Sequence, residues 1–163
     1  MNATEKLLAI EEIRNVFARR LRYMDLKQWD LYGSVHTDDA WSETYGDLPA
    51  ALQPQSGGVR NKVVGPQALA DAIRHFMEHR TPITSVHHAH TPEIDITSDT
   101  TATGIWPMED HLWWEEGERR EFLHGYGHYH EHYRKVEGRW LICYRKLTRL
   151  RVDRTPGFYD RLL

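Results

Sequence analysis

Apolar side chains recur at three- and four-residue steps near the start of the chain, at Leu7, Ile10, Phe17, Leu21 and Met24. That period predicts a helix burying one face, with Thr4 as its cap and Glu5 favourable in its first turn. Asp25 falls four residues beyond Leu21, so a carboxylate closes the apolar stripe. A charge there is costly unless it is paired; an aspartate that ends the helix and begins the next turn fits the same position. A second short helix is expected over 26–32, stopping at Gly33. Ala40–Tyr45 alternates as a strand does, and 46–60, rich in Gly, Pro, Gln and Ser, reads as a mobile loop. Gly65-Pro66 puts proline at the first position of another helix. Leu69, Ile73, Phe76 and Met77 form its buried face, and Thr81-Pro82 ends it.

The period then switches to two. In Ser85–Ile96, Ile94 and Ile96 alternate with Glu93 and Asp95, the pattern of a half-buried strand. His88 and His90 point to one side and His87 to the other. Unless Pro92 introduces a bulge, that pair shares a face with Ile94 and Ile96. Strands follow at 100–108, 121–133 and 140–152, the last two joined by a turn at Val136-Glu137-Gly138. Helices first and a meander afterwards is an α+β order. With no repeat or linker, the 163 residues read as one domain, its core at about 5–150 and a tail at 151–163.

On the strand at 121–133, His124, His128, His130 and His132 share one parity, and Gly125, Gly127, Tyr129, Glu131 and Tyr133 the other. His-x-His spacing can bring two nitrogens to one zinc ion, but no third ligand stands at a fixed distance. A wet or subunit-facing sheet surface explains the ladder equally, and no metal site is expected.

Composition narrows the classes. A net charge of −3 with scattered Lys and Arg carries no nucleic-acid signature. The single cysteine, Cys143, permits no intrachain disulfide and fits a reducing compartment. No apolar run suits a membrane span, and the first residues do not read as a signal peptide, so a cytoplasmic setting is expected. Six Trp, eight Tyr and eleven His can line a cavity for a flat apolar ligand.

The order of these features resembles a known family. Tyr23-Met24-Asp25 ends a helix; Asp38-Asp39-Ala40, Gly65-Pro66 and His87 with Ile94 follow. Then come Gly127-His128-Tyr129, Tyr133-Arg134 and Gly138-Arg139-Trp140, with Arg145 five residues on. This is similar to the SnoaL-like branch of the nuclear transport factor 2-like, or cystatin-like, superfamily, whose members include dehydratases and a dehydrochlorinase. The resemblance implies a cone-shaped α+β barrel with a curved, mostly antiparallel sheet wrapped around helices and a deep pocket. It implies that Asp25 pairs with His87 and that Arg145 joins them as the catalytic set. It places Arg20 and Tyr129 in the substrate pocket, with Thr91 where many relatives carry asparagine, and Trp106 is counted with them. It turns the histidine ladder outward, to a face such proteins use to assemble, and a homotrimer is expected.

An aspartate fixing an imidazole's tautomer suits proton abstraction, and an arginine can hold the charge that develops. No serine or cysteine with nucleophile signals accompanies them. The expectation is a cofactor-independent lyase or isomerase, of dehydratase or dehydrohalogenase type, acting on an apolar cyclic or aromatic small molecule. The same fold also serves as the non-catalytic small subunit of aromatic-ring-hydroxylating dioxygenases, as a small-molecule-binding module, and as a hydrolase or cyclase.

Overall fold

The computed structural model describes residues 1–163. Its elements run α1 (Ala3–Asp25), α2 (Trp29–Tyr32), β1 (His36–Glu43), β2 (Gln55–Ser56), β3 (Val59–Arg60), β4 (Val63–Val64) and α3 (Pro66–Glu78). β5 (Thr84–Ala89), β6 (Glu93–Ile96), β7 (Thr101–Glu116), β8 (Arg119–Val136) and β9 (Arg139–Arg154) follow. The main sheet has the order β4-β1-β9-β8-β7-β5, with β6 also on β7, while β2 and β3 pair separately. β1 and β9 are parallel; the other neighbours in the main sheet are antiparallel. No helix is long and apolar enough to cross a membrane.

α1 begins two residues earlier than Thr4 suggests. Asn2 accepts from the Glu5 N–H while the Glu5 carboxylate accepts from that of Asn2, a capping box that satisfies two orphan donors. The buried stripe runs Ala9, Ile13, Val16, Phe17, Arg20, Leu21 and Met24. Leu7 lies off that stripe and is exposed. Phe17 stacks on Trp106 with ring centroids 3.7 Å apart, fastening the helix to the inner face of the sheet.

Gly33 does not stop its helix. It keeps right-handed angles, φ −64° and ψ −31°, and the chain tightens into a 3₁₀ turn at Gly33–Val35. β1 then starts at His36, before the expected Ala40. The stretch 46–60 holds a 3₁₀ turn, Ala50–Leu52, and the small β2–β3 hairpin. α3 opens as expected, with Gly65 at φ 94° ahead of Pro66. It ends at Glu78, before Thr81-Pro82.

The histidine strand is broken by the bulge that Pro92 allows. From His87 to Ile94 the chain advances seven residues (94 − 87), while its partner strand passes from Asp110 to Gly104, six (110 − 104). The extra residue reverses the facing, so Ile94 and Ile96 pack on the core on the side His87 faces. Two further bulges lie in β9. His132 and Tyr133 of β8 face Tyr144 and Ile142, leaving Cys143 over; Tyr126 and Gly127 face Arg151 and Arg149, leaving Leu150 over. The inner face of β9 therefore runs Trp140, Ile142, then Arg145, Leu147, Arg149, then Val152.

The segment beyond 150 is part of the body of the fold. β9 continues to Arg154, the Phe158 carbonyl accepts from Trp114 Nε1 at 2.9 Å, and Phe158 is fully buried. The Arg161 guanidinium donates to the carbonyls of Phe76, His79 and Thr81 at the end of α3, where unpaired carbonyls need donors.

Candidate active site

The apolar stripe of α1 carries its last residue, Asp25, to the mouth of β5. There the carboxylate accepts three hydrogen bonds: from Ser85 Oγ at 2.8 Å, from the His87 amide at 2.9 Å and from His87 Nδ1 at 2.6 Å. Because the carboxylate is an acceptor, Nδ1 carries the ring proton and Nε2 keeps its lone pair. The ring is 5% exposed and faces an interior cavity whose walls include Met24, Leu112, Leu123 and Phe76. The arrangement is an imidazole fixed through Nδ1, with Nε2 toward a mostly apolar space.

Burial alone would raise the Asp25 pKa. The hydrogen bonds and charge of His87, with the Ser85 hydroxyl, outweigh it and hold the carboxyl below its ordinary value. The folded protein thus binds the Asp25 proton less readily than the unfolded chain, and the stability this group contributes drains away on acidification. The stability difference between wild type and Asp25→Asn should be constant above about pH 3.8, the ordinary value, and shrink below it. Denaturant midpoints of both proteins across an acid series check this; a difference that stays flat to lower pH is the contrary result.

Arg145 reaches the same cavity because the Cys143 bulge turns it inward. Nη2 donates to the Tyr32 hydroxyl at 3.1 Å, whereas Nε and Nη1 are buried without a partner. Arg20, buried as well, lies 3.2 Å from Glu131, so its charge is balanced. Its guanidinium sits 4.5 Å from the Tyr129 ring centroid, and Tyr129 lines the cavity. Glu131 also accepts from the Tyr133 hydroxyl at 2.5 Å, which in turn accepts from Trp106 Nε1 at 2.9 Å. Burial, with Arg145 and Arg20 nearby, pushes the His36 pKa down to about 3, so that imidazole stays neutral beside Arg145.

Asp25, His87, Arg145, Arg20 and Tyr129 are therefore brought together. Trp106 and Thr91 are not. Trp106 faces inward, but Phe17 covers its ring and it lies behind the cavity wall. Thr91 sits in the bulge before Pro92 and is exposed, so the two-residue period does not carry it inward from His87.

Among the lining residues not expected from the sequence are Tyr32, Asp47, Asp110, Arg149 and Tyr159. Asp110 carried a signal, since it shares the buried parity of Met108, Leu112 and Trp114. Arg149 and Tyr159 carried none; the first depends on a bulge and the second on how the final segment folds back.

The ladder of His124, His128, His130 and His132 lies on the outer face. Nearby, His88, His90 and His111 stand 3.6, 3.7 and 3.4 Å from the Glu109 carboxylate. No group of three His, Cys, Asp or Glu side chains is arranged to hold a metal ion.

A curved mixed sheet following N-terminal helices makes a cone-shaped α+β fold. Residues 5–146 match the model of the SnoaL-like domain, and the chain belongs to that family. A type 2 hexachlorocyclohexane dehydrochlorinase (LinA) superposes with a TM-score of 0.77 at 15% identity, over 96% of this chain and 95% of the other. A scytalone dehydratase-like protein from Novosphingobium aromaticivorans gives 0.73 at 16%, over 93% and 91%. ActVI-ORFA from Streptomyces coelicolor gives 0.66 at 14%, over 87% and 97%. At these identities the likeness is one of fold.

Proposed function

We propose that this protein is a cofactor-independent lyase or isomerase acting on an apolar cyclic or aromatic small molecule. The reading rests on the 2.6 Å contact between Asp25 and His87 Nδ1, which leaves Nε2 basic toward the cavity. Family membership and a neighbour named as a dehydrochlorinase agree with it. In this mechanism His87 Nε2 takes a proton from a carbon next to an activating group, and the electron pair of that C–H bond forms a double bond. In elimination, halide leaves with the electrons of its own bond, or a hydroxyl leaves in the same way and takes the proton from His87 Nε2 to depart as water; in isomerisation, the proton returns to a different carbon. Asp25 steadies the imidazolium, and Arg145 faces the negative charge that gathers on the substrate or leaving group.

The test is proton exchange in D₂O, followed by mass spectrometry, over a panel of cyclic ketones, hydroxylated rings and halogenated rings. Wild type is expected to label or convert at least one compound, and His87→Ala none. Equal conversion by both proteins sinks the reading.

The protein assembles as a homo-oligomer, a trimer by expectation, through the outer face bearing His124, His128, His130 and His132. That face also exposes part of Trp113, and aromatic side chains concentrate at subunit contacts. Sedimentation at micromolar concentration should give a species well above the 19.2 kDa protomer; a monomer alone refutes this.

A further inference from the structure

Asp110 and Arg149 form a second polar pole in the cavity, apart from the His87–Asp25–Arg145 set. Arg149 Nη1 and Nη2 donate to the two oxygens of Asp110 at 2.8 and 2.6 Å, an end-on fork. Asp110 is on β7 and Arg149 on β9, so the pair crosses the intervening β8. Gly125 makes room for it: a Cβ built there would overlap both the guanidinium and the carboxylate. Asp110 also faces His87 across the β5–β7 ladder, which sets this pole beside the proposed base.

The fork leaves the Nε–H of Arg149 free of Asp110. It is taken instead by Asp47, at 3.0 Å, on the loop that follows β1. Tyr45, Asp47 and Leu48 from that stretch line the cavity. The two acids differ in burial: Asp110 is 3% exposed, whereas the Asp47 side chain is 43% exposed. The first is a fixed anchor. The second is a solvated carboxylate on a loop, resting on the Nε edge of a buried arginine.

We propose that Arg149 is a ligand-anchoring residue, and that the otherwise apolar rings this cavity takes bear one carboxylate that replaces Asp47 on its Nε edge. The exchange substitutes one monoanion for another, so the local charge is unchanged. A dianion such as phosphate would add charge close to Asp110 and Asp25 and is disfavoured. The group now in place is itself a carboxylate, so Asp47 marks the chemistry and the geometry of the ligand group.

This rests on the cavity being a small-molecule site, not on its catalysis. Binding is measured by calorimetry with benzoate and cyclohexanecarboxylate against their neutral amides. Wild type should prefer the carboxylates. Asp47→Asn removes the competitor and should tighten both carboxylates about two- to fivefold, what an exposed ion pair is worth, leaving the amides unchanged. The double variant Arg149→Met/Asp110→Leu removes both partners together, so that no buried charge is stranded. It should lose the preference while still binding amides.

Three results overturn the proposal: carboxylates that bind wild type no better than amides, Asp47→Asn weakening acids and amides alike, or the double variant keeping its preference for acids. The last would assign the preference to Arg145. If the double variant does not fold, the Asp47→Asn comparison alone decides. His87→Ala should discriminate as wild type does, so loss of turnover and loss of acid preference remain separable.

Discussion

His87→Ala is expected to lower turnover by about 10²–10⁴, the usual worth of a positioned general base, while the protein stays folded and binds its ligand as before. The ring is held through Asp25 and lies against a cavity rather than deep in the apolar core, so its removal leaves the framework of α1 and β5 in place. Asp25→Asn should do comparable damage by another route. An amide no longer enforces the tautomer, and a side-chain NH₂ turned toward Nδ1 would place the ring proton on Nε2, where a base must have none. The two effects should not multiply, because both remove one function, so the double variant is expected to resemble the worse single one. The measurement is turnover of a compound identified by the exchange panel, with circular dichroism to verify folding. Near wild-type turnover by His87→Ala means that the base lies elsewhere.

Arg145→Met is expected to move activity and stability in opposite directions. Arg145 has no carboxylate partner, and two of its nitrogens are buried unpaired. Unsatisfied buried donors cost about 1–3 kcal/mol each, so an apolar side chain of similar length should raise the denaturant midpoint. The rate should fall by about 10²–10³, the loss typical when one donor to a developing anion is removed. Arg145→Lys should restore little, since an ammonium lacks the planar fork that meets Tyr32 and a ligand together. A variant less stable than wild type with unchanged turnover would make Arg145 structural. The expected pattern instead marks a charge held at a cost in stability.

Parts of this site are legible in the sequence, for definable reasons. The stripe of α1 places Asp25 on the buried side because helical spacing is fixed by geometry. Parity separates His87 from His88 and His90 without any outside help. Which of the two faces is the inner one is not legible from parity, because the bulge before Pro92 reverses the facing of Ile94 and Ile96. Arg145 is harder still: counted in twos from Trp140 and Ile142 it falls outside, and the family resemblance put it in the site. Thr91 and Trp106 mislead for complementary reasons, one displaced by a bulge, the other facing inward but roofed by Phe17. Arg149 and Tyr159 depend on long-range packing of the last strand and the segment after it, which leaves no local pattern.

The bulges at Cys143 and Leu150 give β9 something like a reading frame. Each extra residue shifts the phase by one, and between them lies the block in which Arg145, Leu147 and Arg149 face the cavity. Deleting Cys143 would remove the bulge and leave Arg145, Leu147 and Arg149 facing the cavity, whereas drawing Cys143 into the ladder would export both arginines to solvent and bring Tyr144 and Lys146 inside. Deleting Leu150 would likewise flatten the second bulge and leave Val152 on the inner face. It follows that an ungapped comparison of this strand with a bulge-free relative pairs cavity positions with surface positions over this block. A relative's counterpart of Arg145 has to be sought with a one-residue gap opposite Cys143.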